Sequence, residues 1–396
     1  MTDAATARPG HDFVRPTAST AASIGLVVFP GFLLGAFAPA IKDDLGFGDT
    51  GLGAMFTVGF FVSAIVLQFG GPFADLGPQR AVRLGLAIAF VGSGLVAVGA
   101  ETYALLLVGF AIARAAEAIV QPATNSLIAG AIIPQRRGLA IGLKQSAVPV
   151  TTTLAGLAVP LLGATLGWRG VFGLVAVLAV PVALWVPFAP NPPARPKKSR
   201  AEMWKAPHLR VAAVAGGFSA GAVITVAGFL VTAAVDDAGF SDEAAGLLLT
   251  LGGIIMTVAR VTLGAVADRR SFDRFRLVSM LLLVGAAAFP LFAMGTKPSM
   301  IVGTVVVFGI GWSFPGLLLL GIMEQHPEAP GAATAVVQTG VRIGAMGAPL
   351  LFGIVADNAG FATAWMLPMA SIAIGSGLMF ATSVAVRRRP DRAMPG

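Results

Sequence analysis

Residues 109–134 read GFAIARAAEAIVQPATNSLIAGAIIP. The stretch is long and apolar enough to cross a membrane as one helix, yet it carries Arg114, Glu117, Gln121 and Asn125. At about 100° per residue, steps of three, seven and eleven from Arg114 fall within roughly 80° of one another. One wall of this helix is therefore polar, and the rest is mostly Ala, Ile, Leu and Val. Polar side chains at membrane depth are tolerated only against protein or a water-filled cavity. The rest of the chain must supply that interior.

Composition supplies the setting. The chain has 396 residues, 56% hydrophobic and 12% charged, with a mean hydropathy of +0.84. A soluble domain needs far more charge to cover its surface. The apolar residues fall into about twelve runs, each near the roughly 20 residues that span a hydrocarbon core. The spans expected are 20–41, 50–72, 80–99, 103–131, 138–163, 169–188, 211–234, 243–265, 274–294, 299–322, 331–356 and 361–386, and the 50 glycines suit close helix contact in lipid. This is an all-α membrane protein with twelve expected transmembrane helices.

Cysteine is absent, so disulfides and thiolate metal sites are excluded. The three histidines, His11, His208 and His326, are expected in the tail, the linker and a loop, and no metal site is assigned to them. No cofactor is expected, and no cleavable signal is evident in the first 19 residues. The net charge of +8 is topology information rather than a nucleic-acid surface. With the amino terminus inside, only Lys42, Arg169 and Lys297 fall outside and four cations fall within spans, leaving 20 of the 27 Lys and Arg on the inner side. That asymmetry predicts both termini in the cytoplasm of a multi-pass protein of the plasma membrane.

Between the sixth and seventh spans lies APNPPARPKKSRAEMWKAPHLR, rich in Pro and base. The organisation expected is a cytoplasmic tail (1–19), a six-helix lobe (20–189), a cytoplasmic linker (190–210), a second six-helix lobe (211–387) and a tail (388–396). The halves are copies. A shift of 193 residues carries Asp43, Asp44, Gly46, Phe47 and Asp49 onto Asp236, Asp237, Gly239, Phe240 and Asp242. The same shift carries Gly71, Ala74 and Asp75 onto Gly264, Ala267 and Asp268, and Pro122, Gln145 and Gly167 onto Pro315, Gln338 and Gly360. Six helices and a parallel copy fit the repeat geometry of a secondary transporter with its site near the midplane between the halves.

After the second span the chain reads Gly71-Pro-Phe-Ala-Asp75-Leu-Gly-Pro-Gln-Arg80, and its counterpart reads Gly264-Ala-Val-Ala-Asp268-Arg269-Arg270. These resemble the Gly-x-x-x-Asp-Arg-x-Gly-Arg-Arg signature of the major facilitator superfamily, with Leu76 standing where the family has a base. Pro122-Ala123, Arg136-Arg137-Gly138 and Gly167-Trp168-Arg169 are similar to that family's fourth-to-sixth-helix region. The resemblance covers nearly the whole chain. It implies the two-lobed facilitator fold, alternating access, and a gating role for Gly71, Asp75, Arg80, Gly264, Asp268 and Arg269.

The departures from the repeat are the candidate site. Arg114 maps onto Val307, Glu117 onto Ile310, Lys144 onto Val337, Arg260 onto Leu67 and Arg342 onto Pro149, so every intramembrane charge occurs in one half only. Arg114 and Arg342 each lie 11 residues into their helices, past Tyr103 and Gly331. That is roughly 16 Å into a core about 30 Å thick. Neither reaches water by snorkelling, so both must face an interior. Lys144 and Arg260 are nearer an interface and have a second reading as snorkelling cations. Arg260-x-x-x-Gly264-x-x-x-Asp268 resembles a pattern in oxalate and monocarboxylate transporters, which implies a carboxylate contact for that Arg.

Glu117 is the only acid deep in the membrane and has two readings, an intrahelical pair with Arg114 or a proton-coupling carboxylate. Gln121, Asn125, Gln145 and Gln338 are expected polar contacts for substrate, with Thr151, Thr152 and Thr339 as further donors or as hydroxyls bonded to their own backbone. Four cations against one acid favour an anion. The first expectation is a secondary transporter of a small carboxylate-type organic anion, such as a proton symporter, acting as a monomer in the lipid bilayer with no nucleic-acid partner. The alternative is a drug or metabolite efflux antiporter. Val159-Pro160-Leu161-Leu162-Gly163-Ala164 keeps part of the Gly-Pro-x-x-Gly-Gly motif of such antiporters.

An enzyme is not expected. Gly46-Phe-Gly48-Asp-Thr-Gly51 matches a dinucleotide fingerprint but has no preceding strand. Gly217-Phe-Ser219-Ala-Gly221 matches a nucleophile elbow but lies inside the seventh span. No Walker-type loop is present, so motion would draw on gradients rather than ATP.

Overall fold

The computed structural model describes residues 13–68, 76–191, 200–269, 272–326 and 329–387. Among them the chain is helical, with no strand. In order come α1 (Val14–Ala36), α2 (Ala38–Leu45), α3 (Asp49–Gln68), α4 (Pro78–Gly99), α5 (Tyr103–Ala131), α6 (Pro134–Gln145) and α7 (Ala147–Trp185). There follow α8 (Arg200–Met203), α9 (Pro207–Asp236), α10 (Asp242–Arg269), α11 (Arg274–Ala293), α12 (Lys297–Val306), a π-helical turn (Val307–Gly311), α13 (Phe314–Gln325), α14 (Pro330–Ala364) and α15 (Met366–Arg387).

Local chemistry sets the helix starts. Pro occupies the first turn of α2, α4, α6, α9, α12, α13 and α14, where its missing N–H costs nothing. The Thr102 hydroxyl accepts from the Leu105 N–H and caps α5. Asp273 does the same for α11 through the Arg276 N–H, at 3.0 Å.

Eleven helical stretches among the described residues are long and apolar enough to cross a membrane. The expected fifth and sixth spans lie within one of them, the 51 residues Gln135–Trp185. Unbroken, that stretch would be about 76 Å long, far more than a core of about 30 Å requires. It is interrupted: at Gly167 the backbone takes φ 62° and ψ 174°, a conformation essentially restricted to glycine. The repeat partner Gly360 has φ 78° and ψ 166° inside α14. Gly46 and Gly239, also 193 apart, share φ 65° and 68°. The internal repeat thus extends to individual backbone angles.

One repeat pair diverges. Pro122 lies inside the continuous α5, whereas Pro315 opens α13 after the π turn and Trp312–Ser313. The matched prolines therefore serve different local structures.

The described residues form two compact units. The first comprises the residues up to Leu33, Phe61–Thr152 and Leu162–Ala194. Within it α4 and α5 meet at backbone distance: a Cβ on Gly92 would strike the Ala113 backbone, and one on Gly109 would lie 2.8 Å from Val96. Ile128, Ile132 and Ala140 pack beneath Phe13 and Ala131.

The second unit comprises Leu34–Phe60, Thr153–Leu161 and the residues from Arg195 onward. Its central seam joins α9 and α14. A Cβ on Gly340 would collide with the Ala213 carbonyl, one on Gly344 with the Gly217 carbonyl, and one on Gly221 would sit 2.8 Å from Ala348. Contacts advance four residues on each helix together, so the two run parallel. Phe289, Phe292, Phe352 and Trp365 form an aromatic core with ring centroids 4.7–6.2 Å apart. At one end, Lys42 Nζ donates to Asp49 at 2.7 Å and to Asp236 at 3.2 Å. There Asp357 also accepts the first two N–H groups of α3, from Asp49 at 2.9 Å and Thr50 at 2.7 Å. Those donors have no intrahelical partner, so the carboxylate completes the helix end.

Candidate functional site

The polar wall of α5 is present and belongs to the first unit. Arg114 is 5% exposed, and its Nη2 lies 2.5 Å from Glu117 Oε2, one turn along the same helix. The contact is a charge pair rather than an aligned hydrogen bond, because Oε2 accepts no hydrogen bond. On the other side the guanidinium rests against α1 where that helix has no side chain: a Cβ at Gly31 would lie 3.3 Å from Nη1.

One turn further along α5 the wall receives Lys144 from the end of α6. Lys144 is 1% exposed. Its Nζ donates to Gln121 Oε1 (3.2 Å), Thr124 Oγ1 (3.3 Å) and Asn125 Oδ1 (2.5 Å). An ammonium has three donors, and all three are engaged. Thr124 can accept because its own proton goes back to the Val120 carbonyl, at 2.8 Å. No carboxylate pairs with Lys144 among the described residues, so its charge is solvated by neutral oxygens alone. Gln121 and Asn125, expected to face substrate, are turned to this amine. Gln145, next in sequence, has a buried Oε1 that accepts no hydrogen bond. Thr151 is buried beside Gly25, and Thr152 bonds back to the Val148 carbonyl at 3.1 Å.

The second unit holds the remaining cations. Arg260 on α10 is half-buried; its Nη2 makes a long 3.4 Å bond to the Trp312 carbonyl, and its Nε has no partner. That carbonyl is available because the helix changes from π to irregular backbone there, and π turns concentrate at functional sites. The turn occupies the positions that the repeat pairs with Arg114 and Glu117. Arg342 on α14 is half-buried, Gln338 is exposed, and Thr339 bonds back to the Ala335 carbonyl at 2.9 Å.

Of the expected gating residues, Arg80 is exposed in the first turn of α4 and Gly264 lies within α10. Gly71 and Asp75 lie outside the described residues, as do the side chains of Asp268 and Arg269.

Two groupings escaped the sequence. His208 and His326 are 118 residues apart, yet their Nε2 atoms stand 2.8 Å from each other in nearly parallel rings, both buried. The centroid separation of 5.0 Å is about what two ring radii add to that contact, so the rings meet head to head across one shared proton. The Lys42–Asp49–Asp236 cluster with Asp357 was missed as well. Its aligned acids were visible, but nothing in the sequence pointed Asp357 at the start of α3.

A helical bundle of membrane-spanning length with a charged wall turned inward defines a polytopic transport protein. The chain belongs to the Major Facilitator Superfamily, whose family model matches residues 20–349. It is 27% identical over 368 residues to a chloramphenicol resistance protein of Streptomyces lividans, covering 90% of this chain and 91% of that one. It is 24% identical over 370 residues to the purine ribonucleoside efflux pump NepI of Salmonella paratyphi A, covering 90% and 88%. In fold it is similar to a bacterial homologue of the human lysosomal transporter Spinster, solved inward-facing and unoccupied. That match has a TM-score of 0.76, 15% identity, and 98% and 100% coverage.

Proposed function

We propose that the chain is a secondary exporter of a small, uncharged polar organic molecule, exchanged across the bacterial inner membrane for protons that load Glu117. The observation that carries this reading is the Arg114–Glu117 contact at 2.5 Å. It neutralises the deepest cation of the first unit, and the three donors of Lys144 are already spent on Gln121, Thr124 and Asn125. An anion arriving at this wall finds little free positive charge. The acceptor the wall leaves unused is Gln145 Oε1, buried and accepting no hydrogen bond, which suits a ligand bearing O–H or N–H donors. Two relatives named for drug resistance and nucleoside efflux lend support.

The chemistry proposed for Glu117 follows from its position. Ionised, it is held by Arg114; protonated, it gives up that charge pair and becomes a donor itself. Substrate and proton then compete for one carboxylate, which is the minimum that exchange requires. The energy comes from the gradient.

The organic-anion reading retains one specific support, Arg260, whose Nε has no partner and whose one hydrogen bond is long. Proteoliposomes separate the readings. Under the exporter reading, Glu117→Gln keeps counterflow of a labelled nucleoside or chloramphenicol but loses proton-driven accumulation, and Arg114→Ala loses both. Proton-driven transport undiminished in Glu117→Gln would remove the carboxylate from coupling. Counterflow of small carboxylates, abolished by Arg260→Gln, would favour the anion reading instead.

A further inference from the structure

Apart from the charged wall, the second unit carries a groove with its own chemistry. On α9, Arg210, Ala213, Gly217, Gly221 and Thr225 follow one another at steps of three and four, so they share a face. From Ala213 on, that face is the floor of a cavity of about 510 Å³, walled by Ile343 and Leu351 of α14 and by Leu367 and Ile374 of α15. Those wall residues are exposed on the outer surface of the unit, so the groove opens outward. Its few hydroxyls are internally satisfied: Thr225 donates to the Gly221 carbonyl and Ser371 to the Phe218 carbonyl. The interior therefore offers an occupant apolar contact only.

Length and charge narrow the occupant. Ala213 to Thr225 rises roughly 18 Å, close to one leaflet of a core about 30 Å thick. At the head of the groove stands Trp204, a residue type that favours the membrane–water boundary. Lys205 follows it in sequence, and Arg210 precedes Ala213 by three residues on the same helix; both are exposed, and their side chains pair with no acid among the described residues. An apolar channel one leaflet deep, lined at Trp204 by an aromatic ring with two unpaired cations close by in sequence, matches an anionic amphiphile held in the membrane.

We propose that this groove binds an anionic phospholipid, with one acyl chain along α9 between Ala213 and Thr225 and the phosphate on Arg210 and Lys205. A zwitterionic lipid would fill the same channel without using both cations. Free phosphate would use the cations without the channel. The inference stands independently of the substrate and the direction of transport.

The test uses the purified full-length chain in detergent, followed by thermal unfolding and native mass spectrometry. The added ligands are phosphatidylglycerol, phosphatidylcholine with the same acyl chains, and inorganic phosphate. Phosphatidylglycerol is expected to raise the unfolding midpoint by about 3–5 °C and to remain bound, with a smaller effect of phosphatidylcholine and none of phosphate. The surface double variant Lys205→Gln/Arg210→Gln should lose the difference between the two lipids. Gly347→Leu should lose both lipid effects, because a side chain there enters open space: a Cβ at Gly347 meets nothing within 4 Å. Equal shifts by the two lipids, a preference that survives the double variant, or a shift reproduced by phosphate alone would each overturn the proposal. If Gly347→Leu fails to fold, the double variant, which alters only exposed side chains, decides the matter.

Discussion

Each charged side chain within the spans solves its burial differently. Arg114 borrows a carboxylate on its own helix, Lys144 gathers three neutral oxygens, and Arg260 leans on a carbonyl freed by an irregular turn. A count of four cations against one acid treats these as equivalent, and they are not. Asp273, between α10 and α11, shows the same accounting at the surface. Burial works against its charge, but hydrogen bonds from the Ser383 hydroxyl, the Arg276 N–H and Arg387, with the charge of Arg387, outweigh that and hold its carboxyl below the ordinary range. A carboxylate with a depressed folded-state value contributes stability above its unfolded value and loses it as pH falls. The contribution of Asp273 should therefore be intact at neutral pH and vanish from about pH 4 downward. Asp273→Asn should flatten that part of the stability–pH curve measured in detergent; an unchanged curve would dismiss the contribution.

At the scale of helices, bare backbone does the packing. Gly340 and Gly344 of α14 leave no room for a methyl group against α9, whereas Gly347 on the same helix faces open space. Gly344→Ala should lower the unfolding midpoint by several degrees, because backbone would have to move, while Gly347→Ala should leave it within about 1 °C. Equal effects at the two positions would mean that the seam tolerates separation. Most helices were legible beforehand: α5 begins and ends where its apolar run does, at Tyr103 and Ala131. The division of the tenth span into α12, a π turn and α13 was not, because a one-residue widening of the helix leaves no trace in hydrophobic periodicity. Partners far apart in sequence were likewise hidden. Periodicity gives the polar face of α5 but not the identity of what meets it, so the engagement of Gln121 and Asn125 with Lys144, and the meeting of His208 with His326, needed coordinates.

For the whole molecule, the distribution of Lys and Arg predicts an orientation that can be read directly, because the chain contains no cysteine to remove first. Ser241→Cys, between α9 and α10, should react with a membrane-impermeant maleimide on intact cells. Gln135→Cys, at the start of α6, should react only in everted vesicles. The reverse pattern would invert the topology and place both termini outside.

The glycine seam also constrains motion. Two parallel helices in backbone contact can exchange weak Cα–H···O bonds along their length, and sliding by one residue would drive a carbonyl into a Cα. Unlike interdigitated side chains, which re-seat in alternative rotamers, such a weld has one setting. Any rearrangement within the second unit must carry α9 and the part of α14 around Gly340 and Gly344 as a single rigid strut and find its hinges outside that seam, at places such as the Gly360 break further along α14 or the π turn before Trp312.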